Sequence, residues 1–345
     1  AGMLAPVAEA YFGERELTAL LVAAAADWPR FAADLAAGAA PDSAGAAAEG
    51  FAAAAAPAGA AAPDHPRAAA ADAGRLLGLR TEGTLVVGRT SDDLAEVDRL
   101  RSYQESLGLP VHRLRAAQLR AREPLLAPGV RGGAYLPDDH AVDPRRLVAA
   151  LRTAAAAAGV RALPSAVARL ADVDADQVVV AAGLGVGRLT GLPVRPVKGQ
   201  VLRLRTPDDS PPGFRHVIRG VVDGRGVYCV PRADGEVVVG ATVEERADRL
   251  PTAGAALELL RAAVDLIPAL TEYALAETGV GHRAGTPDNG PLLGRLDPRT
   301  VVAGGFYRHG IVCTPLAAAA VADLVEGRDP AAAWAPFAPD RFVRS

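Results

Sequence analysis

Residues 176–182 read DQVVVAA, and a run of consecutive β-branched residues closed by small ones has few ways to fold. A strand wetted on one face alternates polar and apolar positions. This one does not, so it is expected to be a strand buried on both faces, as in a parallel sheet. Gly183, Gly185 and Gly187 follow it. The series is not a GxGxxG fingerprint, because its third glycine arrives one residue early, and no GxGxxG opens the chain. A second unit of the same kind closes the sequence. TVVAG at 300–304 reads as another buried strand, and 310–325 as a long helix of small residues in spite of Pro315 near its start.

Between these units the pattern changes. VRPVKGQVLRL at 194–204 opens a β-rich region, and VYCVP at 227–231 with EVVVG at 236–240 predicts a hairpin around Asp234-Gly235. Helices are expected over 17–35, 92–107, 114–122 and 252–267 from their apolar spacing. Another is expected from Asp143 to about 158, with Asp143 as N-cap and Pro144 at the first helical position. Strands are expected within 79–88 and at 134–136. From 36 to 74 the chain is alanine, glycine and proline with few large side chains. Such a stretch buries too little apolar area to offset its ordering entropy, and it reads as a loose insertion.

Composition removes several classes of function. The chain has 345 residues, enough for about two domains. Its net charge is −3 and Lys198 is its single lysine, so no basic footprint for nucleic acid or an anionic membrane exists. The longest apolar stretches are alanine tracts broken by Gly, Pro and Asp, which do not make a membrane span. Cys229 and Cys313 lie in apolar segments and read as buried thiols, which fits a reducing cytoplasm. No histidine or cysteine pairs have metal-ligand spacing. Asp138-Asp139-His140 reads as a polar turn.

Three segments carry chemistry. In 279–294 (GVGHRAGTPDNGPLLG) Arg283 sits among turn residues, and its fork matches a carboxylate with two charge-assisted hydrogen bonds. By itself it would be an ordinary solvated loop arginine. Tyr228 lies in the 227–231 strand, where it is a core residue, a pocket wall or a hydroxyl donor to a substrate. The helix after 304–305 offers free backbone N–H groups and partial positive charge at its start.

Taken in order, eight segments resemble the FAD-dependent glycine oxidase and D-amino-acid oxidase family, most closely the members that serve thiazole formation for thiamine. They are AGMLAP (1–6), EGTLVV (82–87), DDHAVDPRRLVAAL (138–151), VVVAAG (178–183), RPVKGQVLRL (195–204), YCVPRADGEVVVGAT (228–242), HRAGTPDNGPLLG (282–294) and GFYRHGIVCTPL (305–316). The resemblance implies an α/β fold. An FAD-binding Rossmann-like domain (1–35, 125–192 and 281–345) would be interrupted by an α+β substrate domain (75–124 and 193–280) with a mainly antiparallel sheet. The insertion would occupy 36–74. It implies oxidation of glycine or a similar small amine by hydride transfer to the flavin, with dioxygen reduced to hydrogen peroxide. Arg283 would grip the substrate carboxylate, with Arg308 beside it and Tyr228 lining the pocket. FAD contacts would come from Ala1, Gly2, Met3, Val167, Ala182, Gly183, Phe306, Tyr307, Arg308, His309, Gly310, Ile311 and Val312. Dioxygen and a small amino acid are the implied partners, and homo-oligomers are common in the family.

The sequence departs from the family in several places. The strand, GxGxxG turn, helix and acidic ribose ligand that precede AGMLAP in the family are not in this sequence. It therefore reads as an N-terminally truncated member with poor FAD binding on its own. The hairpin expected within 160–176 is shortened. Ala284 stands where the family has proline, and Phe306 and His309 stand where it has His and Asn. Those changes bear on substrate preference. The competing readings are a D-amino-acid or sarcosine-type oxidase, a dehydrogenase, and a non-catalytic remnant.

Overall fold

The computed structural model describes residues 1–38, 66–208 and 210–342, with backbone alone at 66–71. The elements begin with β1 (Met3–Leu4), α1 (Arg15–Ala26), α2 (Trp28–Gly38), α3 (Pro66–Leu77), β2 (Thr84–Gly88), α4 (Ser91–Ser106), β3 (His112–Arg115) and α5 (Ala116–Arg122). They continue with β4 (Gly132–Leu136), β5 (His140–Ala141), α6 (Pro144–Ala157), β6 (Val178–Val180), α7 (Gly185–Thr190), β7 (Arg195–Arg205), β8 (Val217–Val222) and β9 (Arg225–Pro231). The last are β10 (Glu236–Gly240), α8 (Ala253–Leu266), β11 (Ala274–Gly285), β12 (Leu292–Arg295), β13 (Thr300–Gly304) and α9 (Thr314–Val325). Two compact units result. One comprises 1–18, 80–142 and 196–282, the other 19–79, 143–195 and 283–345.

The first unit is built on an eight-stranded sheet ordered β11-β7-β10-β9-β8-β2-β4-β3. The β9–β10 hairpin turns at Asp234-Gly235 as its sequence predicts, with Val237 opposite Pro231. β2 and β8 run parallel, and the other registered pairs in this sheet are antiparallel. Alternation along β10 explains why three consecutive valines are needed. Val237 and Val239 join the core with Leu202, Leu204, Ile218 and Cys229, which α8 covers through Leu259, Ala263 and Leu266. Val238 faces the other way, onto Val217, Val230 and Ala141. Gly220 gives α8 room on the sheet: a Cβ there would lie 2.3 Å from Leu266 Cδ1, so a side chain would force Leu266 to move.

The second unit holds a three-stranded sheet, β12-β13-β6. β13 pairs antiparallel with β12 and parallel with β6, Val302 opposite Val180. Val180, Val186, Leu192, Leu292 and Val302 form its core. Helix α6 starts as predicted: Asp143 accepts from the amides of Arg145 and Arg146, and Pro144 follows.

Several expectations are corrected. β6 is not buried on both faces, since Val179 is 40% exposed; among the described residues it is the edge strand of its sheet, paired only with β13. The single helix expected over 17–35 is two, broken at Asp27 ahead of Trp28-Pro29. Proline has no N–H to continue the first helix and suits the first turn of the next. The expected helix at 114–122 begins only at Ala116, because His112–Arg115 pairs with β4. The last helix begins at Thr314 rather than 310. The compact units also divide the chain differently from the sequence boundaries at 1–18 and 125–142. Those residues go with the large sheet, as β4 is one of its strands and β1 pairs with β5. Most of the predicted 36–74 insertion lies outside the described residues.

Candidate active site

β6 and β13 are parallel, so their carboxyl ends point the same way. Residues 181–184 leave one end and 305–313 leave the other. Ligands of open α/β sheets bind outside such ends. Ala181, Ala182 and Gly183 are exposed there. Gly183 has φ +57° and a Cβ on it would meet nothing within 4 Å, so the strand end faces open space. Gly305 also has positive φ, +63°, and a Cβ there would lie 2.6 Å from Thr286 Cγ2. The chain can turn this tightly only with glycine.

The turn from Gly310 to Cys313 precedes α9. Its internal bonds run from the His309 amide to Phe306 and from the Cys313 amide to His309. Among the described residues, nothing accepts from the amides of Gly310, Ile311 and Val312. Three donors are thus presented at the positive end of a 12-residue helix. The turn is fixed from outside by Trp28, whose Nε1 donates to the Val312 carbonyl at 2.9 Å. Trp28→Phe leaves that buried carbonyl without its donor. It is expected to lower stability by about 1–2 kcal/mol, read from denaturation midpoints; an unchanged midpoint would show that the bond contributes nothing.

The two arginines singled out in the sequence meet through their neighbours. The Tyr307 amide donates to the Ala284 carbonyl at 2.9 Å, which joins the residue after Arg283 to the residue before Arg308. Arg283 is half-buried at the end of β11, and Arg308 is exposed, its guanidinium 5.1 Å from the Tyr307 ring centre. Tyr307 holds φ +48°, an uncommon conformation for a non-glycine residue. His309 is 5% exposed. Val167 is 41% exposed, and its carbonyl accepts from Arg188 of α7.

Within the other unit, Tyr228 is half-buried on β9. It packs in one cluster with Ala1, Met3, Val201 and Val217, so the first residues of the chain and this tyrosine share a face of the sheet. Gly240, opposite Tyr228, leaves room for its hydroxyl; a Cβ there would lie 2.5 Å from it. Arg232 is 3% exposed and donates to the Val142 carbonyl at 3.0 Å and to the Ala1 carbonyl.

A family profile described as DAO, FAD dependent oxidoreductase, matches residues 30–324. The chain belongs to that family. A glycine oxidase of Geobacillus kaustophilus is 31% identical over 292 residues, 77% of this chain and 75% of the relative. The crystal structure of glycine oxidase from that organism superposes with a TM-score of 0.80 at 28% identity, covering 99% of this chain and 87% of that one. The bifunctional protein ThiO/ThiG of Synechocystis sp. is 37% identical over 244 residues, 65% of this chain. The chain spans only 35% to 37% of the length of the bifunctional ThiO/ThiG relatives it matches. An iminodiacetate oxidase of Chelativorans sp. shares the fold, with a TM-score of 0.78 at 22% identity. Among the described residues, no three His, Cys, Asp or Glu side chains gather as metal ligands, and no helix is long and apolar enough to cross a membrane.

Sequence reading missed three buried polar anchors. Asp139, read as part of a polar turn, has no exposure at all; its two oxygens accept from the amides of Val7 and Ala8 at 2.9 and 2.8 Å. Arg232 and Trp28 are the other two. Each reaches a backbone carbonyl more than 80 positions away, which no local pattern encodes.

Proposed function

We propose that this chain is an FAD-dependent oxidase of glycine or a similarly small amino acid, acting in the cytoplasm and serving thiazole formation for thiamine. What carries the reading is the Ala284–Tyr307 hydrogen bond beside three unaccepted amides at the carboxyl ends of a parallel strand pair. That bond ties together the backbone bearing the two arginines, which supports reading them as a pair for a carboxylate, with the nearby amides as donors for an electron-rich ring edge.

The residues fit FAD on that ground. The amides of Gly310, Ile311 and Val312 would meet the ring edge where negative charge gathers on reduction, and the open end of β6 at Ala182 and Gly183 leaves space for the rest. We assign Ala1, Gly2, Met3, Val167 and the backbone of Phe306 to His309 to the same cofactor. When bound, FAD supplies the electron sink for the amine and passes the electrons to dioxygen. Arg283 binds the substrate carboxylate with two parallel N–H donors and fixes its orientation. Arg308 sets a second positive charge beside it, and Tyr228 contributes its ring and hydroxyl to substrate binding. No side chain needs to hold a proton from the α-carbon, so catalysis rests on orientation.

The balanced reaction is glycine, dioxygen and water going to glyoxylate, ammonia and hydrogen peroxide. Oxygen uptake by the flavin-loaded enzyme, with peroxide counted, is the test across glycine, sarcosine and D-alanine. Turnover is expected to be best with glycine, with one peroxide for each oxygen consumed. Preference for D-alanine would favour a D-amino-acid oxidase, and turnover only with an artificial electron acceptor would make the enzyme a dehydrogenase.

A further inference from the structure

We propose that the C-terminal segment, residues 332–342, is a strap that positions the two substrate arginines, with Arg341 as its key positioning residue; this rests on the oxidase reading above. The loop after Arg283 and Ala284 runs from Thr286 to Gly290 before β12. Its inner bonds are local. Thr286, fully buried, has its hydroxyl 2.7 Å from the Gly290 carbonyl and 3.0 Å from Asp288 Oδ1, and the Gly290 amide donates to Asp288 Oδ1 at 2.9 Å. Those bonds shape the loop but fasten it to nothing.

Arg195 of β7 fastens one side, donating to the Thr286 carbonyl and to Asn289 Oδ1 at 3.3 Å, and the C-terminal segment fastens the other. Arg341 grips Asp288 with two bonds, Nε to Oδ2 at 2.9 Å and Nη2 to Oδ1 at 3.2 Å, and Nη2 also donates to the Gly290 carbonyl at 3.1 Å. Its own Nη1 is held by the Ala338 carbonyl, and its guanidinium lies 4.3 Å from the Phe342 ring centre. Only 17% of the Arg341 side chain is exposed. Burial alone would raise the Asp288 carboxyl, but Arg341 and the Gly290 amide hold it below its ordinary value, so the pair is ionic at neutral pH. Phe337 seals the same loop: a Cβ on Gly290 would lie 2.9 Å from its ring. Pro339 closes on Gly294 in the same way, at 2.7 Å.

The strap also reaches the second arginine's loop. Trp334, 1% exposed, meets Phe306 edge to face at 6.4 Å between ring centres. Phe306 lies two residues before Arg308. One segment of chain therefore touches both loops, and the Ala284–Tyr307 bond joins the backbone beside one to the backbone of the other. A bidentate arginine–carboxylate pair fixes direction as well as distance, which a lysine at the same place cannot do. Loosening it slackens the loop that directly follows Arg283 without removing any group assigned to the substrate.

The test is Arg341→Met in the holoenzyme, with Arg341→Lys as the conservative variant. Since a displacement near 1 Å of a positioning group costs up to ~10²-fold, KM for glycine is expected to rise roughly 10- to 100-fold while kcat stays within about 3-fold. The dissociation constant of glycolate, a glycine isostere with a carboxylate and no amine, should rise by the same factor when read from the flavin spectrum. Arg341→Lys should restore part of the loss. If Arg341→Met fails to fold, Asp288→Asn carries the same test, with a smaller rise in both constants. A fall in kcat at unchanged KM, or glycolate binding unaltered in both variants, would overturn the strap. Absence of glycine turnover in the unaltered enzyme would instead remove the oxidase reading, and the two failures are thus distinguishable.

Discussion

Arg283→Met is expected to cut kcat/KM for glycine by roughly 10²- to 10⁴-fold, because truncating one partner of a charge pair shielded from water costs on the order of 3–5 kcal/mol. Arg283 is half-buried at the end of β11, and the Tyr307 amide holds the Ala284 carbonyl next to it. Its guanidinium would meet the substrate with two donors at once. Arg283→Lys keeps the charge and loses the fork, so it should fall between the two. Glycinamide, which has no carboxylate, separates the role from general damage. Its turnover should hardly differ between Arg283→Met and the unaltered enzyme, and glycine should drop toward the glycinamide level. Equal losses on both substrates would mean that the arginine supports the fold rather than the carboxylate.

The second large effect is on stability. Asp139→Ala is expected to destabilise the protein by about 3–5 kcal/mol, since it strands two buried amides and opens a cavity. The carboxylate holds Val7 and Ala8 to the turn before β5, and Gln104 holds the Val7 carbonyl from α4 at 2.9 Å. Arg219, bonded to Glu9 at 2.6 Å, lies near enough to favour the charged form. Burial nevertheless wins and pushes the Asp139 carboxyl up to about 7. The sign of the pH effect follows. A folded-state value of about 7 against ~3.9 when unfolded means that the folded state binds the extra proton between those limits. Asp139 therefore adds stability as pH falls from 8 toward 5, whereas an ordinary surface carboxylate adds none. Alanine does not titrate. The stability gap between the unaltered protein and Asp139→Ala, from urea denaturation, should widen between pH 8 and pH 5. A gap that stays constant would place the carboxyl at its ordinary value, and one that narrows would place it lower; either contradicts the upward shift.

Much of the fold was legible because its signals are local. Asp143-Pro144 marks a helix start wherever it occurs, and Asp234-Gly235 between two β-branched runs closes the β9–β10 hairpin. The capping box of α4 is equally local: Thr90 and Asp93 bond each other's backbone. Even there, part of the role was hidden, since Asp93 also accepts from the amides of Asp223 and Gly224, 130 positions away. Burial works against the Asp93 carboxylate, and these amides with Thr90 keep it below its ordinary value.

The rest failed where tertiary partners decide. Leu114 and Arg115 read as the start of the helix that runs to Arg122, but β4 recruits them into the strand His112–Arg115. Residues 176–182 read as fully buried, because composition cannot say that a strand will sit at an edge. The proposed site residues Arg283, Arg308 and Tyr228 were singled out through collinear motifs and not through any one residue. Asp139 and Arg232 gave no sign, because a buried carboxylate and a buried guanidinium look like surface charges until their distant partners are known. Arg341 was invisible for the same reason: Asp288 lies 53 positions before it.

The most direct measurement is anaerobic. Flavin-loaded enzyme mixed with excess glycine in the absence of dioxygen should lose the visible absorption of oxidised flavin, and admitting dioxygen should restore it with release of hydrogen peroxide. Absorption that stays unchanged with glycine, sarcosine and D-alanine alike would contradict the assignment of this chain as an amino-acid oxidase.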